Sequence, residues 1–113
     1  MNKICTSLEQ SQKLIELGID IKTADMDYIP FANNPQEYDC IINVWNNEHE
    51  KDWIPAWSLS ALLGILTEQD FIIKTVGNEF NIDIPIRHCK IWFSSLLDAA
   101  FEMVCWLLEN KNI

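Results

Sequence analysis

The chain has 113 residues, 49% of them hydrophobic and 22% charged, a balance that fits one globular domain over residues 1–113 and excludes a disordered polymer. Eight lysines and arginines stand against seventeen aspartates and glutamates, for a net charge of −9, so the basic footprint that nucleic-acid backbones require is missing and no direct nucleic-acid binding is expected. No eighteen consecutive apolar residues occur and "MNKICTSLEQ" turns polar too soon for a secretory signal, so a cytoplasmic location with no membrane partner is expected.

The first helix is expected from Ser7 to Leu17. Thr6 to Glu9 reads T-S-L-E, a capping box in which the Thr6 hydroxyl accepts from the Glu9 amide, and Gly18 supplies a left-handed end. Glu9, Gln10, Gln12, Lys13 and Glu16 would face water. "DYIPF" then reads as a short edge strand, because Pro30 has no N–H to give a central ladder. "ANNPQE" is rich in turn formers, "YDCIINVW" has the β-branched and apolar content of a strand, and "NNEHEKD" is a charged loop.

Pro55 biases Ile54 toward an extended backbone. Ser58 is a good N-cap, which places a helix over Leu59–Leu66 with Leu59, Leu62, Leu63 and Leu66 on one face. Trp57, just before the cap, is positioned to staple against Leu62, a structural role that outweighs a recognition role. For Trp53 the two roles stand level.

"DFIIKTV" and "EFNIDIPI" flank Gly77-Asn78, a pair suited to a two-residue hairpin turn. Phe80, Ile82, Ile84 and Ile86 share the expected buried face, and Glu79, Asn81 and Asp83 the wet one. "CKIWF" reads as a third strand, reached through a turn near Arg87-His88. The last helix is expected over Ser95–Glu109 with Asn110 as its C-terminal cap. Asp98, Glu102, Cys105 and Glu109 would form its narrow solvent stripe. Nearly everything else on it is apolar, so it packs centrally or carries part of a dimer interface, and truncating Phe101 or Leu107 should destabilise the domain severely.

Chemistry is sparsely encoded. Nucleophile elbows, zinc-protease helices, P-loops and dinucleotide fingerprints are all missing, and no cofactor is expected. His49 sits among Glu48, Glu50 and Asp52, but no nucleophile is nearby, so it reads as a solvated loop histidine. His88-Cys89 adjacency does not make a dyad, because neighbours on a strand face opposite ways. Cys5, Cys40, Cys89 and Cys105 are far apart with no C-x-x-C pair, so they read as free, mostly buried thiols with no metal site.

"ADMDYIPF", "PAWSLSALLGIL" and "LLDAAFEMVCWLLEN" together resemble a family of small uncharacterised proteins of Bacteroides-type genomes, often encoded in prophages or conjugative elements. The resemblance runs from about Thr6 to Asn110. The last segment is also similar to the closing helix of phage helix–sheet–helix sandwich proteins and, more remotely, of HicB-like antitoxins. These likenesses imply an architecture and a setting, and they transfer no site residues.

The expected fold is α+β, an antiparallel sheet of three to five strands packed against three helices. The expected function is that of a non-enzymatic accessory protein of a phage or mobile element, acting by binding a protein partner, with a homodimer as a further option. Trp45, Glu48, Glu50, Asp52 and Trp53 form the expected contact surface, aromatic anchors with a charged rim. Two alternatives stand beside it: an acidic nucleic-acid mimic that inhibits a host enzyme, and an antitoxin-like partner of a small toxin.

Overall fold

Ser7, not Thr6, caps the first helix. In the computed structural model, which describes residues 4–30, 38–42, 53–111 and 113, helix α1 spans Leu8–Glu16. Ser7 Oγ accepts from the Gln10 amide at 3.1 Å and Gln10 Oε1 accepts from the Ser7 amide at 3.0 Å, so the capping box lies one residue further on than Thr6–Glu9. Thr6 has another task. Fully buried, it donates its amide to Trp57 O (2.9 Å), while its hydroxyl pairs with Ser11 Oγ (2.7 Å) and accepts from the Trp57 amide (3.1 Å). A side chain spent on a distant main-chain donor cannot also cap its own helix. Gly18 ends α1 at φ +90°, the left-handed conformation its sequence position predicts.

A 3-10 turn at Ile21–Thr23 leads into the first sheet. Strands β1 (Met26–Pro30), β2 (Tyr38–Ile42) and β3 (Ile54–Ala56) run antiparallel in the order β2-β1-β3. The expected edge strand around "DYIPF" is therefore central. Proline is tolerated because β3 pairs only with Met26–Tyr28, so Pro30 lies beyond it, opposite Tyr38 of β2 alone.

Helix α2 spans Leu59–Leu66, as its leucine spacing requires. Its cap is doubly held: Ser58 Oγ accepts from the Ala61 amide (3.2 Å), and Asp25 accepts both the Ser58 amide (2.8 Å) and the Ser58 hydroxyl.

The hairpin forms β4 (Ile72–Val76) and β5 (Glu79–Ile84), in register from Ile72–Asp83 to Val76–Glu79, with Gly77 at φ +59°. The third strand of this second sheet is β6 (Arg87–His88), which pairs His88 with Asp83 and Arg87 with Ile84. The turn thus falls at Pro85-Ile86, earlier than expected, and "CKIWF" contributes only a bridge from Phe93 to Phe80. Ile86, expected on the buried face, lies in that turn and is exposed.

Helix α3 spans Leu96–Glu109, with Ser95 and Asn110 as its caps. It packs on α2 and β5. The main core gathers Leu14, Trp57, Leu62, Leu66, Ile82, Ile84, Met103, Val104 and Leu107, and a smaller cluster of Cys5, Met26 and Ala56 with Tyr28 and Cys40 lies against the first sheet. The polar stripe assigned to solvent on α3 reaches it only in part, with Glu109 exposed and Glu102 half-buried. Cys105 is buried, and Asp98 is half-buried and accepts from Gln10 Nε2 of α1 at 2.9 Å. Gln10, expected to face water, is accordingly half-buried as well.

Candidate interaction surface

The outer face of the second sheet departs most from its sequence pattern. Alternation assigns Asn81 and Asp83 to water, yet both are buried. The segment after β6 folds across them. Asn81 Nδ2 donates to Cys89 O (2.6 Å) and Ile91 O (2.8 Å), and Asp83 Oδ1 accepts from the Cys89 amide (2.9 Å). Asn81 Oδ1 accepts from no group among the described residues. Lys74 of β4 closes the arrangement, its ammonium 2.7 Å from Asp83 Oδ2 and 5.9 Å from the centre of the Trp92 ring. His88 Nδ1 lies 3.4 Å from the same carboxylate. The Lys74 hydrogen bond, opposed by burial and helped by the Cys89 amide and the charges of Lys74 and His88, holds the Asp83 carboxyl below its ordinary range.

This cluster fixes a surface that is itself exposed and apolar. All five residues of β4 are exposed, with Ile72 at 63% and Val76 at 66%, and Ile91 of the crossing segment is at 60%. Ile72, Lys74 and Val76 stand opposite Asp83, Asn81 and Glu79, so they share the covered face of the sheet.

The edge of β4 is also open. The Phe80 amide donates to Phe93 O (2.7 Å) and Phe80 O accepts from the Phe93 amide (2.9 Å), so both main-chain groups of Phe80 point away from β4. Its cross-strand partner Thr75 then directs its own N–H and C=O outward, and Ile73, two residues away, does the same. Among the described residues nothing pairs with that edge.

Of the residues expected to make the contact surface, Trp45, Glu48, Glu50 and Asp52 lie outside the described residues, as does His49. Trp53 is described: it is half-buried and precedes β3 of the first sheet. Trp57 is fully buried in the main core, which also holds Leu62, and its Nε1 donates to Thr23 Oγ1 at 2.9 Å, a structural role. His88 and Cys89 form no dyad: the Cys89 sulfur faces Ile91 O at 3.7 Å, while His88 faces Asp83.

Other chemistry-bearing groups are placed as follows. Ser58 and Asp25 are spent on the α2 cap. Burial, opposed by Lys13 and aided by Glu102 and Glu109, pushes the Cys105 thiol up to about 12. A cavity of about 560 Å³ between the end of α1, α2 and the end of α3 is lined by Ile19, Ala61, Gly64, Ile65 and Leu108, and by Asp20 and Glu68. Among the described residues no group of three or more His, Cys, Asp or Glu is set to hold a metal ion, and no helix is long and apolar enough to cross a membrane. Comparison with protein-family models, curated proteins and solved structures finds no match for this chain.

Proposed function

We propose that the protein is a non-enzymatic binding module that captures a basic partner protein by adding one of the partner's extended segments to the β4 edge, with which no other described residue pairs. The carrying observation is that edge: the outward main-chain groups of Ile73 and Thr75, on a strand exposed along its whole length. Unpaired edges of this kind are templates for a further strand, and natural sheets usually blunt them. Lys74, the one charged side chain in the Ile72–Val76 strand, is already paired with Asp83, so it does not blunt this one. Ile72, Val76 and Ile91 supply apolar contacts for alternate side chains of the added strand.

Charge points to the kind of partner. Residues 72–92 carry three cations (Lys74, Arg87, Lys90) and two carboxylates (Glu79, Asp83), in a chain whose net charge is −9. The strand site is therefore locally close to neutral, while the rest of the chain attracts a basic protein and repels a second copy. The resemblance noted in the sequence adds the setting, an accessory protein of a prophage or conjugative element.

Thr75→Pro provides the test. Its lost N–H faces outward, so the β4–β5 ladder is kept while the edge loses a donor. A partner captured by the wild-type chain is purified and the complex reconstituted. Strand addition requires slowed amide exchange at Ile73 and Thr75 in the complex, weakening by salt, and loss of the complex with Thr75→Pro. Retention of the complex by this variant, or protection of those amides in the isolated chain through self-association, would overturn the reading.

A further inference from the structure

Cys5 and Cys40, thirty-five positions apart, meet: their sulfurs are 2.9 Å from one another, in the small core against the first sheet. We propose that this pair is a site of intramolecular disulfide formation by exchange with a low-molecular-weight disulfide.

The surroundings assign the two thiols different parts. Cys5 precedes α1 and is buried, with Tyr28 Oη 3.5 Å from its sulfur. Tyr28 in turn donates to Thr6 O at 2.8 Å, and the Thr6 amide donates to Trp57 O, so the residue after Cys5 is tied to β1 and to the residue that follows β3. Cys40 stands opposite Tyr28 on β2, is only half-buried, and lines a cavity of about 630 Å³ with Ile4, Asp25, Met26, Ile41 and Ser58. A small disulfide therefore reaches Cys40 first. The Cys40 thiolate attacks one sulfur of the reagent, forming a mixed disulfide and expelling one thiolate. Cys5, already in contact, attacks Cys40 Sγ, forming the Cys5–Cys40 bond and expelling the second. The two protein thiols are oxidised, the reagent's disulfide is reduced, and the two protein protons end on the two released thiols.

Burial, the hydrogen bond with Cys5, and the charges of Cys5, Asp39 and Asp27 all raise the Cys40 thiol above its ordinary range. Tyr28 on β1 is raised likewise by burial and its two cysteine neighbours, and Asp25 is among the residues that line the cavity. Attack at neutral pH is consequently slow and accelerates as pH rises. The carboxylates also rank the reagents: cationic cystamine should react faster than neutral bis(2-hydroxyethyl) disulfide, and both faster than anionic glutathione disulfide.

The experiment treats the full chain with bis(2-hydroxyethyl) disulfide and follows intact mass, with peptide mapping under non-reducing conditions. The wild-type chain should yield a Cys5–Cys40 linked peptide that has lost two hydrogen atoms, reversibly with reductant, alongside any separate adduct on the equally half-buried Cys89. Cys5→Ser should stop at one mixed disulfide on Cys40, and Cys89→Ser should form the same link as the wild type. A wild-type chain that keeps its adduct on Cys40, links through Cys89 or Cys105 instead, or remains unmodified at alkaline pH would overturn the assignment. Because Cys5→Ser changes a core position, its circular dichroism is compared with that of the wild type, and the wild-type peptide map decides the matter alone if the variant does not fold.

Discussion

At the scale of single residues, Asp83 shows how a nominally wet position becomes structural. A carboxylate buried on a sheet is costly unless paired, and Asp83 has the Lys74 ammonium and the Cys89 amide within hydrogen-bond reach. Its carboxyl titrates below its unfolded value, so the folded state binds this proton less readily than the unfolded one. The resulting stability is fully present above the unfolded carboxyl pKa of about 3.9 and is lost as pH falls through the folded value beneath it. Urea midpoints measured against pH should show the wild-type chain more stable than Asp83→Asn at pH 6. That difference should narrow steadily below about pH 4, where the wild-type carboxyl begins to gain its proton in the unfolded chain. A difference independent of pH would assign the Asp83 contribution to its hydrogen bonds and not to its charge.

Among the elements, α3 carries the core, and its two flanks are unequal. Leu107 is fully buried in the main cluster while its neighbour Leu108 is half-buried at the periphery. Leu107→Ala should cost about 2–5 kcal/mol, through lost transfer energy and the cavity left behind, and Leu108→Ala clearly less. Denaturant unfolding of the two variants checks the ordering. This helix was legible in the sequence because local signals agree: Ser95 at the cap, an apolar run, and Asn110 at the end. Leu59–Leu66 and the Gly77-Asn78 hairpin were legible for the same reason. Where a side chain is claimed by a distant partner, local rules failed. Thr6 left its cap for Trp57, Gln10 turned from water to Asp98, and Asn81 and Asp83 were covered by a segment of main chain that no alternation pattern could announce. The candidate site was hidden further. An open edge depends on which strand lies outermost in a sheet, and sequence periodicity carries no strand order; Pro30 pointed to the wrong edge.

Over the whole molecule, the Cys5–Cys40 contact joins parts that are distant in sequence and held by a small apolar cluster. Cys5, Met26 and Ala56 provide little burial beside the main core of α2, α3 and β5, so the first sheet gains most from a covalent tie. Linking positions thirty-five apart removes loop-closure freedom from the unfolded chain, worth roughly 3–4 kcal/mol at this length in the chain-entropy account. Sulfurs already in contact require little displacement to bond, so strain in the folded state should take back only part of that gain. The cross-linked unfolded chain is also more compact and exposes less new surface. Guanidinium unfolding of the oxidised chain should therefore show a higher midpoint together with a shallower slope than the reduced chain, and reductant should restore both. A higher midpoint at unchanged slope would place the gain in the folded state instead, as tighter packing of the N-terminal segment on β1 and β2. A lower midpoint would mean that closing the bond distorts the Thr6, Tyr28 and Trp57 hydrogen bonds that hold α1 to the sheet.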